Sequence, residues 1–103
     1  MIKDIHELTP LEQELCRETA KVKWADIEPF FANGSLITVD NSLDLIKVAV
    51  AITEDDSVKM QVWMAENLVL NTNDEMALNW QQSDSLLWVV VVKPWVLVQE
   101  PSD

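Results

Sequence analysis

One histidine and one cysteine occur in the 103 residues, and they bound the chemistry open to the chain. His6 is the sole candidate for an imidazole base or metal ligand, and Cys16 for a thiolate nucleophile. A Cys–His pair would have to join a residue ahead of the first helix signal to one about three helical turns further along. His6 reads instead as a solvated residue among charges, and Cys16 as a small core residue beside Leu15. One Cys and one His cannot complete a zinc site, and a single cysteine allows no intrachain disulfide. Carboxylates are more plentiful. Glu54-Asp55-Asp56 and Asn73-Asp74-Glu75 are the local clusters that could serve Mg²⁺ or Ca²⁺, but neither follows the ligand spacing of an EF-hand loop. Both stand where a helix is signalled to begin, a position the helix dipole favours for acids. A paired-carboxylate hydrolase would need two acids facing each other across a cleft. A phosphate-binding loop needs several glycines, and Gly34 is the only one. The reading is a chain with no catalytic residues, no metal and no cofactor.

Five tryptophans remain: Trp24, Trp63, Trp80, Trp88 and Trp95. They could line a pocket for a small ligand. Four of them fall on inward helical or strand positions, where each would remove roughly 200 Å² from water as ordinary core. Trp95 stands apart, because it follows an interruption in the most apolar stretch of the chain. The four methionines Met1, Met60, Met64 and Met76 would allow an adaptable apolar surface near the fourth helix, with core filling as the plainer use.

The formal charge is −11, and it is unevenly spread. Residues 24–103 carry Lys47, Lys59 and Lys93 against thirteen acids. Affinity for nucleic acid rests largely on lysine and arginine displacing counterions from phosphates, and this chain would repel phosphate. Anionic membranes are disfavoured for the same reason. An acidic surface keeps a protein soluble and can also meet a basic partner. The opening MIKDIHELTP has charges at Lys3, Asp4 and Glu7 and no apolar core, so it does not read as a signal peptide. The longest apolar run, Leu86–Val92, is far short of the about twenty residues a membrane-spanning helix needs. A cytoplasmic protein is expected.

The positioning elements follow from caps and periodicity. Thr9-Pro10-Leu11-Glu12 forms a capping box with proline at the first helical position. Leu11, Leu15, Thr19 and Val22 then share one face of a first helix. A second helix is expected over Ala25–Ala32, with Pro29 tolerable only in its first turn. Asn33-Gly34 ends it, Gly34 taking the left-handed C-cap position. Residues 35–39 read as a strand. Leu43–Thr53 fits both periods, and the preceding cap residues favour helix. Asp56 caps a helix over Ser57–Glu66, with Val58, Val62 and Ala65 on one stripe and Trp63 beside it. Leu68–Leu70 is a short strand. Thr72-Asn73-Asp74-Glu75 is a second capping box, opening a helix to about Gln81 with Met76, Ala77 and Trp80 inward. A helix ending in Ala32-Asn33-Gly34 and another ending in Ala65-Glu66-Asn67 each lead into a strand and a capped helix, a faint internal echo.

The closing stretch LLWVVVVKPWVLVQE, Leu86–Glu100, is apolar on both faces up to Val92. A half-exposed strand would alternate, so this one is expected to be covered on both sides. Pro94 cannot donate to a ladder, so the strand must kink or fold back at Lys93-Pro94. The same pair interrupts what would otherwise be a long aggregation-prone run.

PWVLVQE (Pro94–Glu100), preceded by Leu87–Val92, resembles the ending of an uncharacterised bacterial family catalogued as domain of unknown function 2288. WADIEPFFANG (Trp24–Gly34), Leu43-Asp44-Leu45, Asp55-Asp56 and Val62-Trp63-Met64-Ala65 fit the same pattern. Where that pattern has a glycine before the second strand, this chain has Asn67, which also tolerates the left-handed conformation. The resemblance implies a small cytoplasmic bacterial protein and no assigned activity.

Residues 1–103 are therefore expected to form one α+β domain. About five helices would surround a small, mostly antiparallel sheet of three or four strands, with the last strand central or at a dimer interface. The expected function is a non-catalytic acidic protein-interaction or regulatory module, with a protein partner that could be a second copy in a homodimer. The partner-binding candidates are Lys93, Pro94, Trp95 and Gln99. The alternative is a small-ligand domain with a Trp-lined pocket.

Overall fold

A computed structural model describes residues 9–101. Their elements in chain order are α1 (Pro10–Glu18), β1 (Ala20–Lys23), α2 (Trp24–Ala32), β2 (Leu36–Val39), α3 (Leu45–Thr53), α4 (Ser57–Ala65), β3 (Val69–Asn71), α5 (Asp74–Ser83), β4 (Leu86–Val92) and β5 (Trp95–Gln99). The strands form one sheet in the order β1-β4-β5-β2-β3. Only the β2–β5 pair is parallel.

The five expected helices are present. The sheet has five strands rather than three or four, and the extra one is β1. The periodicity of Thr19 and Val22 predicts that the first helix continues to Val22. Instead Thr19 turns extended, its hydroxyl donates to the Leu15 carbonyl at 2.7 Å, and Ala20–Lys23 pairs with the outer side of β4. The ladder gives these residues partners for their backbone groups, and that tertiary gain outweighs the periodicity of so short a segment. Val22 therefore packs on the opposite side of the sheet from Leu11 and Leu15, with which it had shared a helical face.

Both faces of the sheet are covered. On one face α1, α3 and α4 pack against Val39, Val69, Val90, Val92 and Leu97. On the other, α2 and α5 bring Trp24, Ile27, Ala77 and Trp80 onto Leu36, Leu87, Val89, Val96 and Val98. This is why Leu86–Val92 shows no polar face. The chain folds back at Lys93-Pro94, and β5 becomes the central strand, paired with β4 on one side and β2 on the other.

Leu45–Thr53 is helical, opened by the Asp44 carboxylate, which accepts from the Ile46 amide at 2.9 Å. In α5 the cap is Asn73, one residue later than the box signalled at Thr72. Pro29 lies at the sixth position of α2, beyond the first turn. Ala25, whose carbonyl it deprives of a helical donor, is exposed, so water can satisfy that group.

Three helices end the same way. Gly34, Asp55 and Asn67 all have positive φ (82°, 57° and 59°). At each, the next amide reaches back to a carbonyl of the last turn: Ser35 to Phe30, Asp56 to Ala51 and Leu68 to Trp63, at 2.8–2.9 Å. This paired closure explains the echo read in the sequence. The echo stops at local geometry, because α2 and α4 lie on opposite faces of the sheet, as do α3 and α5. A Cβ at Gly34 would meet nothing within 4 Å, so its cost is purely that of the backbone. Gly34→Ala is expected to lower stability by about 1–2 kcal/mol. Asn67→Gly should leave stability unchanged or raise it by up to about 1 kcal/mol. Thermal unfolding of the two variants checks both signs.

The turn before α3 holds a second cap. The hydroxyl and then the amide of Ser42, the latter at 2.9 Å, hold the Asp40 carboxyl below the usual carboxylate range. A carboxylate with a depressed pKa stabilises the fold above its unfolded-state pKa, and that contribution is lost as pH falls through the folded value. Ser42→Ala is expected to move the Asp40 titration, followed by NMR, back toward the ordinary value. An unmoved titration would refute the assignment.

Candidate functional site

The β4–β5 hairpin closes on the pair Val92↔Trp95, with Lys93-Pro94 as its two-residue turn and a cis peptide bond between them. Lys93, Pro94 and Trp95 are all exposed at this tip, Trp95 to 38%. Gln99 lies at the other end of β5. Its amide donates to the carbonyls of Asp40 (2.9 Å) and Leu43 (2.8 Å), tying the central strand to the turn that opens α3. The structure thus brings together three of the four candidate partner-binding residues and gives Gln99 a holding role.

Trp95 forms one wall of an apolar groove of about 240 Å³, lined also by Ile37, Ile52, Met60, Met64 and Val69. No charged side chain lines it. Met60 and Met64 are the α4 residues in its wall, and α4 has no buried residue at all. Met60 and Trp63 pack against the core, while Val58, Val62 and Ala65 face solvent. Val58 is 71% exposed, Val62 50% and Met64 52%. The stripe found in the sequence is real, but it points away from the sheet. Its periodicity could be read from the chain, whereas its direction depends on which side of α4 meets α3.

Lys93 lies on the other side of the hairpin, in a shallow depression with Glu14 and Glu18 of α1 and Thr53 of α3. A wider groove of about 440 Å³ lies between α1, α3 and α4. Thr9, Lys47, Glu54, Lys59 and Trp63 are among its walls.

The five tryptophans do not converge. Trp24 and Trp80 meet at 5.8 Å between ring centroids inside the second core, and Trp24 also meets Phe31 at 5.6 Å. The Lys21 ammonium lies 4.9 Å from the centre of the half-buried Trp88 ring, a cation–π contact. Trp63 and Trp95 line separate grooves.

The residues weighed for chemistry have structural places. Asp56 accepts from the Lys59 amide at 3.2 Å as the α4 cap and lies 3.8 Å from its ammonium. Asn73 caps α5 through the Met76 amide at 2.9 Å. Among the described residues, no three His, Cys, Asp or Glu side chains gather where they could hold a metal ion. Cys16 is half-buried. Desolvation first, then the charges of Asp44 and Glu12, push its thiol pKa up, away from the thiolate a nucleophile needs. His6 lies outside the described residues. No helix among them is long and apolar enough to cross a membrane.

A central strand buried on both faces, with an apolar groove at its exposed end, defines a small α+β domain. The chain belongs to the family described as Protein of unknown function (DUF2288), whose model matches residues 10–100. It is similar to a protein solved by NMR, PA1075 from Pseudomonas aeruginosa, at 38% identity and a TM-score of 0.80. The match covers 98% of this chain and 94% of that one. No curated protein matches.

The segments that carry the family resemblance are those that build the fold. In PWVLVQE, Val96–Val98 fill both cores. Gln99 and Glu100 fasten the strand's end, since Trp80 Nε1 donates to Glu100 Oε1 at 2.8 Å and Asn41 Nδ2 to the Glu100 carbonyl at 2.6 Å.

Proposed function

We propose that this protein is a non-catalytic interaction module, bacterial and cytoplasmic, that docks a protein partner at the Trp95 groove. One observation carries the reading. An uncharged apolar groove opens at the surface, walled by the exposed Trp95 and by Met64, which is 52% exposed. Scattered surface apolar residues need no explanation, but a continuous patch of them marks an interaction site. The groove's size separates the alternatives. Pockets for small ligands occupy about 300–1,000 Å³. A groove of about 240 Å³ suits one or two side chains of a partner better. Met60 and Met64 can adjust to the shape that enters.

Met64→Ser and Trp95→Ala test this directly. Met64 is 52% exposed and lies outside both cores, so its substitution should change stability by no more than about 1 kcal/mol. Loss of either side chain should weaken capture of a partner from native extract by about 2 kcal/mol or more if they are anchors. Undiminished capture by both variants would remove this face from the interaction.

A second reading rests on the wider groove beside Trp63, which is large enough for a small ligand. Quenching of tryptophan fluorescence by a metabolite, abolished by Trp63→Phe, would favour it.

A further inference from the structure

We infer that the free edge of β1 takes an acidic, extended segment of a partner protein as a sixth strand of the sheet. This surface is separate from the Trp95 groove. β1 is one edge of the sheet, whereas the strands that wall the groove are β5, β2 and β3. The ladder decides which backbone groups are free. Val92 and Trp95 pair across a two-residue turn and so exchange both hydrogen bonds, and bonds to β5 then recur at every second residue of β4. The residues between, Val89 and Leu87, turn their amides and carbonyls toward β1, where Ala20 and Val22 stand opposite them. The amide and carbonyl of Lys21 and the amide of Lys23 therefore point out from the sheet. No strand among the described residues lies beyond them, and both residues are exposed. The other edge is less open, because β3 has three residues and Val69 at its start is 2% exposed.

Charge selects the occupant. Three of the seven lysines and arginines of this acidic chain fall between Arg17 and Lys23, and β1 itself carries no acid. Lys21 and Lys23 are two residues apart, so both side chains stand on one face of the strand, the face on which Lys21 meets the Trp88 ring. Glu14 and Glu18 line the depression at Val91–Lys93, toward the opposite end of β4 from Trp88 and Leu86, which lie across from the two lysines. A second copy is rejected by the same arrangement. Only outward-pointing residues can exchange bonds across a new ladder, so two β1 strands paired antiparallel would set lysine opposite lysine, and like charges directly opposite destabilise a pair. Lysines on an edge strand ordinarily keep copies apart. They attract a strand that carries Asp or Glu at alternate positions. The main-chain bonds would supply affinity, and the alternate side chains specificity. The net charge of −11 opposes such a partner at long range, but screening at physiological salt confines that field to about 8 Å.

The experiment uses three synthetic peptides of about six residues, the length of an ordinary strand. One alternates glutamate with valine and one alternates lysine with valine. The third is the glutamate peptide with its glutamate amides N-methylated, which keeps the charge and removes the donors that would meet β1. Each is titrated into the ¹⁵N-labelled full chain and followed by NMR. The glutamate peptide is expected to shift the Lys21 and Lys23 amides and to slow hydrogen exchange at Lys21 by about tenfold or more. Its affinity should exceed that of the lysine peptide by about tenfold or more and fall between about 50 and 500 mM salt. Lys21→Gln with Lys23→Gln should remove most of that preference. Equal binding of the N-methylated peptide would show attraction to surface lysines at large and sink the strand inference. Equal binding of the lysine peptide would overturn the choice of an acidic partner. Shifts of the two amides with protein concentration alone would make the occupant a second copy. Amides that stay unmoved by the glutamate peptide would mean that the lysines only guard the edge, and would overturn the inference as a whole.

Discussion

Leu97→Ala is expected to destabilise the protein by about 2–5 kcal/mol, a large share of the about 5–15 kcal/mol that holds a domain of this kind folded. Leu97 has no solvent exposure and lies on the middle strand of the sheet, at the centre of the core built by α1, α3 and α4. Neighbours on both sides are held by ladders, Val90 on β4 and Ile37 on β2, so they cannot collapse into the space the side chain leaves. The cost therefore includes the cavity as well as the lost transfer from water. Val58→Ala removes an apolar side chain of similar kind from the outer face of α4, and should stay within about 0.5 kcal/mol. Urea denaturation of both variants checks the contrast, read as a shift in midpoint at constant slope. A change below about 1 kcal/mol for Leu97→Ala would mean that β5 is not the packing centre.

The contrast between those two residues shows what the chain discloses locally. Leu97 sits in a run apolar on both faces, and such a run admits one physical arrangement, a strand covered twice. The turn at Lys93-Pro94 followed just as directly, from a residue that cannot donate inside a ladder. Caps were equally readable, because Thr9, Asp56 and Gly34 act on amides and carbonyls a few residues away. Ala20–Lys23 failed for the opposite reason. Nothing within those four residues says strand. Their conformation is set by β4, almost seventy residues further along, whose outer edge needs a partner.

The candidate site divides along the same line. Trp95 stood out because it follows the proline, and the structure does leave it exposed. Gln99 was grouped with it by proximity in sequence, but an extended strand separates residues four apart by about 13 Å. Its amide is occupied by backbone carbonyls at the far end of β5. The outward stripe of α4 could not be located from sequence, since a stripe buried by the chain's own core and one left for a partner look identical. The usable signal was balance. α3 already supplies Leu45, Val48 and Ala49 to the same core, so Val58 and Val62 of the next short helix were surplus.

Trp80→Ala is expected to be the most damaging change on the other face of the sheet, at about 3–5 kcal/mol. Trp80 is 4% exposed and packs on Trp24, and its indole N–H donates to the Glu100 carboxylate. Removing it opens the second core and frees the end of β5 in one step. Trp→Phe substitutions separate those contributions, because the two indoles differ in one respect. Trp80 Nε1 has an anionic acceptor, whereas Trp24 Nε1 is buried without a protein acceptor. Trp80→Phe gives up a charge-assisted hydrogen bond as well as ring volume. Trp24→Phe gives up ring volume but relieves a buried donor. Trp24→Phe should therefore be the milder of the two by about 1 kcal/mol in chemical denaturation. Near-ultraviolet circular dichroism should lose the signal of the coupled Trp24–Trp80 pair in Trp80→Ala. Equal losses for the two phenylalanine variants would mean that the bond to Glu100 contributes nothing, and that packing alone holds the end of the central strand.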